Sequence, residues 1–281
     1  MIRRQYPYIH PLNLEDMLST LERPKIDEDD NYLFFMMQFP VWDAKELLSR
    51  PADVDFLLGR DYVVTVHDGV LKPLSRLFQA CSDSEEERQK LLGRGANDAF
   101  YIIVDKLVDY IFPMLRKVDG NLRYIEDRIF SEDSRKIIRD IALVRRDIIA
   151  LRRLIRHLVP IVDHLENTSH PIIREELEEY FGDILDHLRA ARDIIDEDWE
   201  VISGLADTAN MQISHQTNEV IRVLTVFSVI VLPFLVLPGI FGMNVKFPFD
   251  HEHPAALFVL IGLMLAFTLL MLKYFRRRKW L

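Results

Sequence analysis

TNEVIRVLTVFSVIVLPFLVLPGIFGMN, residues 217–244, is the stretch whose reading decides the fold. Residues 223–241 carry no charge, close to the ~20 apolar positions that cross a ~30 Å hydrocarbon core as helix. Steps of three and four from Asn218 give Ile221, Thr225, Ser228, Leu232 and Leu235. The polar members of the stretch therefore share one helical stripe, with Val, Ile and Phe elsewhere. Uncompensated polar groups in hydrocarbon are costly. Such a stripe wants either a partner helix, packed through small polar residues, or a column of water, and periodicity does not choose between them. The stretch ends in Pro238-Gly239 and Gly242-Met243-Asn244.

A second uncharged run, residues 255–272, has only Gly262 and Thr268 to interrupt its apolar surface. It reads as a second span that faces lipid outside the first. Lys273, Arg276, Arg277, Arg278 and Lys279 follow at once, whereas the loop between the runs has only Lys246. The positive-inside rule puts both termini in the cytoplasm, at a plasma (cell inner) membrane, and the loop outside. One copy of the 218–244 stretch cannot enclose a pore, so a water-filled reading requires a symmetric ring of copies.

Composition bounds the rest. The chain has 281 residues and net charge −9, which argues against nucleic acid as a partner. The single Cys81 excludes an intramolecular disulfide and fits a reducing cytosol. The N-terminal residues MIRRQYPYIHPLNLEDM have no apolar core, so no signal peptide is expected. No nucleophile, base and oxyanion constellation is visible, so neither an enzyme nor a cofactor is expected.

Residues 1–95 read as a small mixed domain. Asn13 is the expected N-cap of a helix over residues 14–21, with Pro24 beyond its end. The acidic run 27–30 reads as a loop, and YLFFMMQF, residues 32–39, as a buried strand. Strands 54–58 and 62–67 flank a hairpin loop at Gly59-Arg60-Asp61. His67 has no Cys or His partner nearby in sequence and reads as structural rather than metal-binding. Residues 71–81 suit a helix, and 82–95 a polar helix or linker. A long amphipathic helix is predicted over 97–130, kinked at Pro113. An Arg-rich helix over 134–159 follows a short turn, so the two form an antiparallel hairpin. Its Arg residues are expected to pair with neighbouring acids rather than with RNA.

Helical periodicity then runs from Ile172 towards the membrane with no Pro until Pro233. The ~65 residues up to Pro238 would span on the order of 100 Å. Ile184, Leu188, Ala191, Ile195 and Ile202 fall at steps of four, three, four and seven, a pattern that packs against other helices. Residues 171–200 also hold eleven acidic side chains against three Arg. These carboxylates are hard oxygen ligands suited to Mg²⁺ or Ca²⁺; alternatively they only keep the helix soluble.

Gly242-Met243-Asn244 at the end of the first of two C-terminal spans, with TNEVIRVLT upstream and KYFRRRKWL downstream, resembles the CorA family of divalent-cation channels. The resemblance implies a mainly α membrane protein with a small N-terminal α/β cytosolic domain. It implies long amphipathic helices, a ~100 Å stalk helix continuous with the first span, and a homopentamer. Divided on that plan, the chain has an N-terminal domain at 1–95, a helical hairpin at 96–170 and a stalk at 171–219. The first span is 220–241, the outer loop 242–254, the second span 255–273 and the basic tail 274–281. The N-terminal domain is shorter than is usual for the family.

The implied activity is passive transport of divalent cations, Mg²⁺ foremost and Co²⁺ or Ni²⁺ also, with Mg²⁺ as both substrate and regulatory ligand. Mg²⁺ sheds water reluctantly, so Asn244 with Gly242 and Met243 forms a ring of neutral acceptors at the outer mouth. Asn218 is expected to form a polar ring at the cytosolic end, and Leu224 and Leu232 match hydrophobic constrictions. Leu235 stands where relatives often carry a polar pore residue. Asp183, in EEYFGDILDHL, stands where the family carries a regulatory ligand, with Asp43 or Asp53 as partner in the N-terminal domain. Lys273, Arg276, Arg277, Arg278 and Lys279 match the family's basic ring. The loop VKFPFDHEHP is neither magnesium-type nor zinc-type. Its Asp250 and Glu252 can attract cations to the entrance, while His251 and His253 read as incidental rather than as zinc ligands. Two alternatives stay open: a zinc transporter of the same fold, with or without proton coupling, and a non-conducting membrane-anchored coiled-coil scaffold or sensor.

Overall fold

The computed structural model describes residues 5–19, 24–242 and 255–280. In chain order the elements are α1 (Pro11–Asp16), β1 (Lys25–Asp29), β2 (Tyr32–Asp43), β3 (Leu48–Gly59) and β4 (Val63–His67). The helices α2 (Lys72–Asp83), α3 (Glu85–Leu92), α4 (Ala96–Asp109), α5 (Ile111–Arg128) and α6 (Ser134–Asn167) follow. A 3₁₀ turn, Glu175–Leu177, leads into α7 (Glu178–Phe241), and α8 (Ala255–Arg277) is last. The chain divides into two compact units, Met1–Ala209 and Asn210–Leu281.

The first unit is built on an antiparallel sheet ordered β1-β2-β3-β4. Strand β2 is apolar without alternation because both of its faces are covered. Leu33, Phe35, Met37 and Phe39 enter the core shared with the helices, together with Val54, Phe56 and Leu58 of β3. Tyr32, Phe34 and Met36, with Leu57, form a second cluster on the opposite face with Ile9 and Met17. The register Tyr32↔Gly59 to Asp43↔Leu48 keeps these two sets apart, since a slip of one residue would exchange them. At the β3–β4 turn Gly59 donates its N–H to the Tyr62 carbonyl at 2.9 Å. A Cβ at Gly59 would fall inside the Tyr62 ring, so the close approach requires glycine.

Several sequence expectations are corrected. The acidic run at 27–30 belongs largely to β1, which pairs with β2 from Lys25↔Met36 to Asp29↔Tyr32. An edge strand tolerates charge because one side of it stays in water. Asn13 lies inside α1 rather than capping it; His10 is the cap, with its Nδ1 accepting from the Leu12 N–H at 3.3 Å. Pro11 at the first helical position sets that start, and the buried Asn13 amide instead donates to Tyr32 Oη at 3.1 Å. The break near Pro113 falls at Tyr110, between α4 and α5. Proline clashes with the carbonyl four residues earlier and removes one hydrogen bond, so the ladder gives way upstream of the ring. Helix α6 does not stop at 159 but continues through Pro160 to Asn167. Ile161, Val162 and Leu165 beyond the proline are all buried. At ~1.5–3 kcal/mol each, their burial outweighs a proline cost of ~3 kcal/mol.

Phe100 of α4 joins sheet and helices. It is wholly buried, lies parallel to Phe35 at 5.2 Å and meets Phe56 edge-on at 5.2 Å and Phe181 of α7 at 6.0 Å. Phe100→Ala should cost about 3–5 kcal/mol, read as a lower midpoint in denaturant unfolding. Phe78→Ala, at a side chain 79% exposed, should stay within about 0.5 kcal/mol. Equal midpoints for the two variants would contradict this packing.

Candidate ion pathway and carboxylate cluster

In the second unit, α7 and α8 are each long and apolar enough to cross a membrane. Each loses exposure along one stripe. On α7 the stripe is Arg222, Val226, Val229, Ile230, Pro233 and Leu237; on α8 it is Leu260, Met264, Thr268, Met271 and Phe275. Val226 and Met264 are the most deeply covered before the basic end, at 6% and 8% exposure. Each of the two helices thus has one face that is less exposed than the rest.

The opposite face of α7 is the one the sequence singled out. At 100° per residue, these six positions of α7 lie within about 60° of Val226 around the axis, while Val231, also half-covered, lies about 140° away. Ile221, Leu224, Ser228, Leu232 and Leu235 lie roughly 160–240° from it, and all five are exposed. Asn218, also exposed, and the half-covered Thr225 lie on the flank of that stripe. The Thr225 hydroxyl donates back to the Ile221 carbonyl at 2.7 Å, which satisfies it without a partner helix. Gly242 closes the helix, its N–H donating to the Pro238 carbonyl at 2.9 Å. Met243, Asn244, Asp250 and Glu252 lie outside the described residues.

At the other end of α8, Lys273, Arg276, Arg277, Arg278 and Lys279 are all exposed. Trp280 folds back to stack on Phe275 at 5.7 Å, with its N–H donating to the Phe275 carbonyl at 3.0 Å. That turn follows the end of the helix at Arg277.

The first unit holds a separate cluster. Asp105 and Asp109 are one turn apart on α4, as are Asp183 and His187 on α7, so each pair shares a face. Ligand atoms of Asp105, Asp109 and His187 all lie within 4.8 Å of one another. The His187 Nδ1 is 3.8 Å from Asp109 Oδ1, and Phe112 meets the imidazole edge-on at 6.2 Å. Burial raises the Asp105 carboxyl above the usual carboxylate range, and the charges of Asp109 and Asp183 raise it further. Asp183 and Asp105 likewise act on Tyr101, whose hydroxyl is raised by burial first. Asp183 is itself exposed. The sequence reading named Asp183 and missed Asp105, Asp109 and His187, although acids four apart on one helix and Asp-His four apart on another are a legible signal.

The two suggested partners of Asp183 are engaged in the sheet. Asp43 accepts from the Lys45 and Glu46 N–H groups at 2.8 and 3.3 Å and pairs with Arg50 at 3.0 Å. Those backbone bonds lower its pKa. Asp53 accepts from the Gln38 amide at 2.8 Å. His67 accepts from the Gly69 N–H at 3.0 Å in an exposed turn. The Arg-rich helix meets acids as expected, with Arg152 pairing Asp196 at 2.7 Å.

The profile described as "CorA-like Mg2+ transporter protein" matches residues 2–277. The chain belongs to that family. The cobalt/magnesium transport protein CorA of Thermotoga maritima is 26% identical over 274 residues, 97% of this chain and 77% of its own. The Bacillus subtilis protein YfjQ is 29% identical over 281 residues, 99% of this chain and 84% of its own. The complete structure of the CorA magnesium transporter from Methanocaldococcus jannaschii superposes with a TM-score of 0.85 at 19% identity, covering 100% of this chain and 86% of that one. The mostly helical fold with a small N-terminal sheet and two apolar helices is thus the fold of the family.

Asp105 binds its proton more tightly folded than unfolded, so it destabilises the fold as pH rises through its raised value. Asp109→Asn removes one of the charges responsible. In chelator at neutral pH, this variant should melt at a higher temperature than the natural protein. A lower melting temperature would show that Asp109 supports the fold by some other contact.

Proposed function

We propose that the protein is a CorA-type channel in the plasma membrane that lets divalent cations pass passively, Mg²⁺ foremost and Co²⁺ or Ni²⁺ also. The observation that carries this reading is the position of the Ile221–Leu224–Ser228–Leu232–Leu235 stripe. It lies opposite the least exposed face of the span, on the helix whose last residue, Phe241, precedes Gly242-Met243-Asn244 in sequence. In a homopentamer, five such stripes line a common path, with α8 on the lipid side. Asn244 offers amide oxygens and N–H groups to a hydrated ion at the outer mouth, holding it weakly enough to release it. Leu224 and Leu232 narrow the path and close it by excluding water. Leu235 makes its outer half more apolar.

Regulation belongs to the carboxylate cluster. Asp105, Asp109 and Asp183 repel one another, and a cation among them relieves that repulsion. Their oxygens suit Mg²⁺, and the His187 imidazole extends the donor set towards Co²⁺ or Ni²⁺. Cytosolic Mg²⁺ bound there, and bridged to a neighbouring subunit through Asp183, holds α7 in a non-conducting arrangement.

Uptake into proteoliposomes containing the purified protein tests the reading, with Mg²⁺ and Zn²⁺ followed separately and with or without a pH gradient. The natural protein should admit Mg²⁺ down its gradient, and Asn244→Ala should lose most of that flux. Asp105→Asn combined with Asp109→Asn should raise the Mg²⁺ concentration needed on the stalk side to suppress flux. Zinc entry that depends on a pH gradient would favour a zinc transporter of the same fold. No flux of either ion would leave a membrane-anchored scaffold.

A further inference from the structure

The apolar seam of α7 has an acid in it. Ile184, Leu188, Ala191, Ile195, Ile202 and Ala209 are buried, and the step of seven from Ile195 to Ile202 skips a core position. Asp198 occupies that position, completing steps of four, three, four, three and four from Ile184 to Ile202. It is only 7% exposed. Its Oδ2 is buried and makes no hydrogen bond among the described residues. A carboxylate left in an apolar seam without a partner is costly when ionised, and far less so when protonated.

The charges around it do not compensate. Asp119 of α5 and Glu197 of α7 both act on Asp198 with the same sign. Asp119 is itself paired with Arg123 at 3.1 Å. The cations of α6 at this level are engaged by the neighbours of Asp198: Arg145 lies over the Trp199 ring at 4.8 Å, and Arg152 pairs with Asp196. We propose that Asp198 is a proton-operated latch: protonated, it seats α7 against the helices packed on it; ionised, it loosens that seam.

Burial, reinforced by Asp119 and Glu197, pushes the Asp198 carboxyl up to about 6. The folded state therefore binds this proton more tightly than the unfolded chain, whose Asp titrates near ~3.9. The latch is fully closed below the unfolded value and opens as pH rises through about 6. A mildly acidic cytosol would tighten the helix that also carries the pore stripe. That consequence for flux rests on the transport reading; the latch itself does not.

Melting of the full-length protein in detergent, in chelator and from pH 5.0 to 7.5, tests it for the natural protein, Asp198→Asn and Asp119→Asn. Asp198→Asn keeps the shape and removes the charge, so its advantage in melting temperature should already be present at pH 5.0, grow as pH rises through about 6 and level off towards pH 7.5. Comparison with the natural protein at each pH cancels every pH effect common to both. Asp119→Asn should make the pH dependence of the natural protein shallower. An advantage of Asp198→Asn that stays constant across the range would overturn the proposal. So would a pH dependence in Asp119→Asn as steep as in the natural protein, a result that stands even if Asp198→Asn does not fold. A protein that carried no ion would still show the expected melts, so the failure of either reading is distinguishable from that of the other.

Discussion

A helix of 64 residues is not held by its own hydrogen bonds, because most helical stability in water comes from burying a face. Everything else in the chain answers the question of what covers α7. Its first half lays Phe181, Ile184, Leu185, Leu188, Ala191, Ile195 and Ile202 into the core that α4, α5, α6 and the sheet share. Its last half has one less exposed stripe around Val226 and an exposed stripe opposite. A bare stripe of Ile, Leu and Ser on a membrane helix is tolerable against lipid, another copy or a narrow water path.

Charge is the second constraint on the same helix. Eleven acids against three Arg between residues 171 and 200 would push neighbouring structure apart if nothing answered them. Part of the answer lies within the chain: Arg152 reaches Asp196, and Arg189 reaches Asp186 at 3.1 Å and Asp163 at 3.8 Å. Around Asp105 the like charges of Asp109 and Asp183 are opposed by His187 and Lys106. The same helix thus contributes Asp183 to an acid cluster and, fifteen residues further on, carries the buried Asp198.

Legibility in the sequence followed the strength of the local pattern. The two uncharged runs, the aromatic density of YLFFMMQF and the tripeptide Gly242-Met243-Asn244 each carry a signal within a few residues. Strand β1 did not, because KIDED is polar and its order comes from pairing with β2. Asn13 looked like a cap because Asn caps helices in general, whereas here its amide is drawn inward by Tyr32. The helix through Pro160 shows burial overriding a local breaker. The cluster at Asp105, Asp109 and His187 joins helices 78 residues apart in sequence, and only tertiary packing brings them together. Asp198 was visible as a gap in a heptad, but burial was needed to show that the position is core.

The stripe on α7 is best tested by cysteine accessibility. Cys81 is the only cysteine, so one substitution clears the background for single cysteines at 221, 224, 226, 228, 229, 232, 233 and 235. Treated in native membranes with a small charged thiol reagent, positions 221, 224, 228, 232 and 235 should react, and 226, 229 and 233 should stay protected. Reaction on the 226–229–233 face, or no periodicity at all, would contradict a water path along this helix.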